Sequence, residues 1–195
     1  MHLTPVTLTG RHVQLEPLAP AHVAGLQEAV RSGELWTLRV TRVPPPEMME
    51  QAVAEALALQ AAGQALPFAT VERASGRIVG ATRFGSLRPA DKCVEIGWTW
   101  IGAMWQRTAV NTEAKYLMLH HAFEVWGCHR VELKTDTLNT QSRRAIERLG
   151  AIQEGVLRRH MVMPDGRIRD TVYYSIIAEE WPAVKTRLET RLAAA

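Results

Sequence analysis

The spacing of apolar positions changes repeatedly along the chain, and each change marks an element. Val13 and Leu15 alternate with His12 and Gln14, which predicts a strand over residues 7–16, entered through Gly10 and Arg11 and stopped by Pro17. Residues 19–31 then carry Val23, Leu26 and Val30 at helical spacing behind Pro20. A proline-rich stretch with Trp36, residues 32–46, reads as a surface loop of the kind that shapes pockets. A helix rich in Ala, Met and Leu follows over residues 47–62 and ends at Gly63. Three strands are predicted next, over residues 67–73, 78–87 and 92–101, joined by turns at 74–77 and 88–91.

The second half opens on residues 104–126, where a short polar turn runs into an amphipathic helix. Ala114, Leu117, Met118, Ala122 and Val125 share one face, with Glu113, Lys115 and Glu124 directed elsewhere. Residues 130–136 alternate as a strand. Asn139 caps a short helix whose core face is Ala145, Ile146 and Leu149, closed by Gly150. Strands over 151–163 and 168–177 form a hairpin around Pro164, Asp165 and Gly166, and a last helix starts at Trp181. Without repeats, low-complexity tracts or a linker, this reads as one domain over residues 1–195. Its class is α/β (α+β): a mixed, mostly antiparallel sheet of about seven strands with one central crossover, flanked by helices.

Composition narrows the function classes. With 23 Lys and Arg against 20 Asp and Glu, the net charge of +3 is too small to imply nucleic acid. Arg143, Arg144, Arg148, Arg158, Arg159, Arg167 and Arg169 crowd one third of the chain, either as a solvated face or as a patch for an acidic cofactor or partner. The two cysteines, Cys93 and Cys128, lack metal-type spacing and read as buried apolar filler in a reduced, cytoplasmic protein. Neither a signal-type N-terminus nor a membrane-spanning run is present, so no membrane partner is expected. No Ser-His-Asp or Cys-His constellation is evident.

The most chemically suggestive stretch is residues 105–113. It begins just past the strand holding Glu95, Gly97, Trp98 and Trp100 and leads into the central helix, so the first free backbone N–H groups of that helix can receive phosphate.

Several local motifs, in order, resemble the GCN5-related N-acetyltransferases (the GNAT superfamily), in particular the branch containing ribosomal-protein N-terminal acetyltransferases. They are Arg11 to Leu18 at the front, Glu95-Ile96-Gly97-Trp98, Thr112-Glu113-Ala114, and Asn139-Thr140-Gln141-Ser142. Arg148-Leu149-Gly150-Ala151 with Glu154-Gly155, and Tyr173-Tyr174-Ser175, complete the set. The resemblance covers about residues 10–188. It implies a sheet splayed between strands 4 and 5, with acetyl-CoA as donor in the opening and no metal.

It further implies that the family's pyrophosphate turn maps onto Gln106, Arg107, Thr108, Ala109, Val110 and Asn111, running into Thr112. Two positions that are small in the family, usually glycine, here hold Ala109 and Asn111, and Asn111 tolerates unusual backbone angles. Backbone near Trp100 and Ile101 would pair with pantetheine, which Asn139 would also hold. Ser142 would give the departing thiolate its proton, and Glu95 would act as general base, directly or through water. His160 is a candidate lining residue for an acceptor bearing a carboxylate. The implied reaction is direct attack of a primary amine on acetyl-CoA in a ternary complex, the acceptor being a protein N-terminus or a small amine. A CoA-binding regulatory or vestigial module is the alternative. A homodimer is left open, and nucleic acid is not expected as a partner.

Overall fold

A computed structural model describes residues 4–195. Eight strands form one sheet in the order β1-β2-β3-β4-β5-β6-β8-β7. These are β1 (Leu8–Thr9), β2 (Val13–Pro17), β3 (Leu66–Glu72), β4 (Ile78–Arg88), β5 (Cys93–Ile101), β6 (Arg130–Asp136), β7 (Ile152–Val162) and β8 (Ile168–Ile177). Every pairing is antiparallel except β5 with β6. The count exceeds the expected seven because residues 7–16 fold into two strands. Between them Gly10 N–H donates to the Val13 carbonyl at 2.9 Å, and this tight turn lets Leu8 pair with Leu15.

Helices cover both faces. On one side α1 (Val23–Arg31) and α2 (Met49–Ala61) bury Leu26, Val30, Met49 and Val53 against Leu18, Ala69 and the loop residues Leu35 and Val43. On the other, α3 (Ala109–His120), α4 (Thr140–Leu149) and α5 (Trp181–Ala193) close the larger core around Phe84, Ile96, Met118, Val131 and Tyr174. Both cysteines are buried in reduced form, as expected, and His121 is buried on the apolar side of its helix.

The central helix departs from its predicted polarity at three places. Glu113 and Lys115, expected to point away from the core, are each only 5% exposed. Val125, assigned to the apolar face, is 62% exposed. Residues His121–Val125 wind as a π turn, in which Trp126 N–H donates to the carbonyl of His121 five residues back. That wider turn breaks the three-and-four spacing and leaves Val125 in solvent.

The relation between β5 and β6 opens the sheet. Their parallel ladder consists of Cys93 with Arg130, Val94 with Val131 and Glu95 with Glu132, and it stops there although both strands continue. The side of Ile96–Ile101 facing β6 is therefore an unpaired edge. A bulge in β5 accompanies the opening: Arg83 pairs with Gly97 and Ala81 with Trp100, so Trp98 and Thr99 together oppose Thr82. Trp98 adopts a left-handed φ of 51° there. An extra residue in one strand bends it and reverses which face the following side chains take.

Candidate active site

The bulge decides where the site residues point. Simple alternation would place Trp98 with Ile96, away from Glu95. Instead Ile96 joins the α3-side core, and Trp98 lines the opposite face with Arg83 and Trp100. Thr99 turns toward α3, where Lys115 Nζ reaches the hydroxyls of both Thr99 and Thr82, the latter at 3.2 Å. The two hydroxyls lie 2.7 Å apart. Burial pushes the Lys115 ammonium down to about 7 from its ordinary 10.5. A polar knot thus lies directly beneath the bulge, on the α3 side of the sheet.

Glu95 stands at the vertex of the splay, 3% exposed. Its Oε2 accepts from Ser86 Oγ at 2.8 Å and pairs with Lys134 Nζ at 2.9 Å. Lys134 comes from β6, so this ion pair spans the two strands just where their ladder ends. A side chain on Gly97 would place its Cβ 2.9 Å from Glu95 Oε1, so glycine at 97 keeps the space over that oxygen open.

The turn after β5 leads into α3. Thr108 caps the helix, its Oγ1 accepting from Val110 N–H at 3.3 Å and donating to the Trp105 carbonyl at 2.7 Å. The left-handed residue is Arg107, with φ 63°, while Ala109 and Asn111 lie in the first turn of the helix without unusual angles. Asn111 is therefore not there for backbone freedom. Its Oδ1 is buried without a hydrogen-bond partner, so this side-chain oxygen points into protein. Ala109 and Asn111 leave the backbone of the helix start regular.

Gln106 ties the lips of the opening together. Its Nε2 donates to the Ile101 carbonyl and its Oε1 accepts from Gln141 Nε2, both at 2.9 Å. Across the cleft Asn139 caps α4, its Oδ1 accepting from Ser142 N–H at 3.0 Å and leaving the amide NH2 as a donor. Ser142 is half-buried one turn into α4. Trp100 and Ile101 form the far end of the β5 edge. There Gly80 allows the strands to meet, since a Cβ at 80 would lie 2.1 Å from the Trp100 carbonyl. Thr112 lines a cleft of about 990 Å³ together with Arg107, Thr108, Ala109 and Val110 of the turn, and Arg11, Arg73 and Arg191 border the same space.

Residues 12–152 match the acetyltransferase (GNAT) domain family. The chain belongs to that family. This acetyltransferase is similar to a GCN5-related N-acetyltransferase from Brucella melitensis, at 33% identity and a TM-score of 0.87, covering 97% of this chain and 86% of that one. YdaF of Bacillus subtilis, a candidate ribosomal N-acetyltransferase, is 30% identical over 110 residues; the match spans 56% of this chain and 59% of YdaF. Mycobacterium smegmatis RimJ in complex with CoA-disulfide has the same fold, with a TM-score of 0.82 at 24% identity, covering 98% and 97% of the two chains.

The face of the sheet opposite α3 holds groups that neither spacing nor resemblance picked out. Arg83 lies 3.7 Å over the Trp98 ring, and Lys134 sits 5.7 Å from both Trp98 and Tyr173. The arginine-rich third divides: Arg144, Arg148, Arg158 and Arg159 are exposed, whereas Arg169 is buried and Arg167 bonds Asp136. His160 Nδ1 lies 3.1 Å from Thr171 Oγ1 on the same hairpin. The signal available for Lys134 is its alternation with Glu132 and Asp136, but its partner Glu95 depends on a register that only the fold supplies. Among the described residues, no helix is long and apolar enough to cross a membrane, and no group of three or more His, Cys, Asp or Glu could hold a metal ion.

Proposed function

We propose that this acetyltransferase takes its acetyl group from acetyl-CoA and passes it directly to a primary amine, working as a single cytoplasmic domain. The observation that carries the reading is the β5–β6 ladder, which stops after Glu95 and Glu132 with the Thr108-capped helix start on one lip and Asn139 on the other. Bound acetyl-CoA supplies an activated thioester. The pyrophosphate would be received by the turn from Gln106 to Asn111, extending to Thr112, through free N–H groups and the helix dipole. The edge at Trp100 and Ile101 would accept pantetheine as an added strand, with Asn139 donating its amide.

Glu95 takes the proton from the amine, directly or through one water, at the Oε1 side that Gly97 leaves open. Ser142 returns a proton to the departing thiolate. Holding both reactants in one cleft supplies the larger share of the acceleration, so no covalent enzyme intermediate is needed. The description of YdaF as a candidate ribosomal N-acetyltransferase supports a protein acceptor, and the CoA-disulfide bound by RimJ supports a CoA-containing donor.

Calorimetry with acetyl-CoA, followed by thiol release in the presence of small amines and N-terminal peptides, tests this. Saturable binding with amine-dependent thiol release is expected. Binding without release for any amine would leave a CoA-binding module in its place, and absence of binding would remove the donor assignment.

A further inference from the structure

The face of the sheet that holds Glu95 carries more cation than its own anions need. A cleft of about 610 Å³ lies between this face, α2 and the loop over residues 32–46, walled by Leu26, Trp36, Met48, Phe68, Trp98 and Trp100. Arg83 and Arg42 are the cationic residues in its lining. Arg83 Nε is buried and has no hydrogen-bond partner. Burial holds the Arg83 guanidinium below its ordinary value, and the nearby Glu95 charge offsets this only in part.

Arg169, 9% exposed, donates its Nε to Thr171 Oγ1 at 3.0 Å and lies within the fields of Glu95, Asp136, Arg42 and Arg167. Arg167 donates to Asp136 and to the Arg39 carbonyl, yet its own Nε is also buried without a partner. Five cations, Arg42, Arg83, Lys134, Arg167 and Arg169, thus lie around three carboxylates, Glu95, Asp136 and Asp165, and the buried Nε atoms of Arg83 and Arg167 have no hydrogen-bond partner. Buried polar groups are ordinarily paired, so an unpaired donor beside a cleft calls for an acceptor atom from outside the chain.

The loop at the edge of the cleft is also anchored. Arg42 donates to the Val162 carbonyl, Arg167 to the Arg39 carbonyl at 2.8 Å, and Arg39 lies 3.9 Å from Asp165. The proline-rich loop that borders the cleft is thereby fastened to the β7–β8 turn.

We propose that the acceptor is an amine bearing a carboxylate and an apolar group, the carboxylate being read by Arg83, whose unpaired Nε borders the cleft, and the apolar group by the tryptophan-lined wall. This rests on the reading of Glu95 and its surroundings as the acceptor side of an acetyltransferase. The carboxylate belongs either to a free apolar amino acid or to an acidic residue next to a peptide N-terminus.

The test measures acceptor binding separately from turnover. Leucine and phenylalanine are titrated calorimetrically against their primary amides, and tetrapeptides with Glu at the second position against the same peptides with Gln. In at least one of the two series the acid binds roughly tenfold tighter or more, the range expected for a charge-assisted contact, and Arg83→Gln brings the acid-to-amide ratio close to one. The series showing the difference identifies the source of the carboxylate. Equal affinities for acid and amide in both series, or binding of none of these ligands, overturn the proposal. Thiol release from acetyl-CoA, measured alongside, separates the readings: amine-dependent release without acid preference removes only the carboxylate, while acid-selective binding without any release removes the acetyl-transfer reading.

Discussion

The carboxyl group of Glu113 occupies the space that a side chain on Gly10 would need: a Cβ at position 10 would lie 2.4 Å from Glu113 Cδ. From there Glu113 accepts the backbone N–H groups of Arg11, His12 and Val13 at 2.8, 2.6 and 2.7 Å. One buried carboxylate thereby fixes the β1–β2 turn to the first turns of α3, the same helix whose start borders the cleft. Glu113→Gln replaces an acceptor-only group with one that also carries donors, so at least one buried N–H loses its partner. We expect a loss of about 3 kcal/mol, read as a lower urea midpoint at unchanged slope. Gly10→Ala should destabilise through the same contact, and wild-type stability in both variants would show that the clamp carries no weight.

Lys115 makes a pH-dependent contribution of defined sign. Its folded value of about 7 lies below the unfolded 10.5, so between those values the unfolded chain binds the extra proton and stability rises with pH. Below pH 7 the full cost of a buried charge is present; above 10.5 it is gone. Lys115→Met removes this dependence while Thr82 and Thr99 still bond each other. Compared with the variant, the wild type should gain about 2–3 kcal/mol between pH 7 and pH 9. Parallel stability curves for the two proteins across that range would refute it.

These two residues mark what a sequence shows and what it hides. Alternation and turn chemistry give the strands, and the Asn139 cap and the Gly150 closure, at φ 103°, follow from local rules. Glu113 and Lys115 defeat the same rules because a charged residue on a helix reads as solvent-facing unless its partners are known. Those partners are N–H groups about 100 residues away and hydroxyls on two strands. Trp98 is misplaced for another reason: period-two alternation carries no mark of a bulge, and one inserted residue reverses every face after it. The opening between β5 and β6 came from family resemblance, since no pattern within either strand specifies where their pairing ends.

The two thiols should be silent in the folded protein. Burial raises Cys128 to about 11 and also raises Cys93, outweighing the Arg88 guanidinium that donates to its sulfur at 2.8 Å. Since the thiolate is the reactive form, an aromatic disulfide reagent at pH 8 should find neither cysteine until denaturant is added, and both afterwards. Prompt reaction of the native chain would show that the core around them opens. Silence makes the same reagent a clean detector of released CoA.

The catalytic assignments separate in kinetics. Glu95→Gln removes the proton acceptor, and the resulting loss of kcat, roughly 10²-fold or more, should be greatest at pH values where the amine is still protonated, shrinking as the amine deprotonates unaided. A pH profile with the wild-type shape would dismiss Glu95 as base. Lys134→Met distinguishes that role from the ion pair, because it frees the carboxylate from its 2.9 Å partner without removing it; it should change the pH profile while retaining more activity than Glu95→Gln. Ser142→Ala should lower turnover with acetyl-CoA affinity nearly intact, since the Ser142 backbone N–H, and not its hydroxyl, is what binds Asn139. Wild-type turnover in that variant would move the proton donor elsewhere, to water or to another group at the lip of α4.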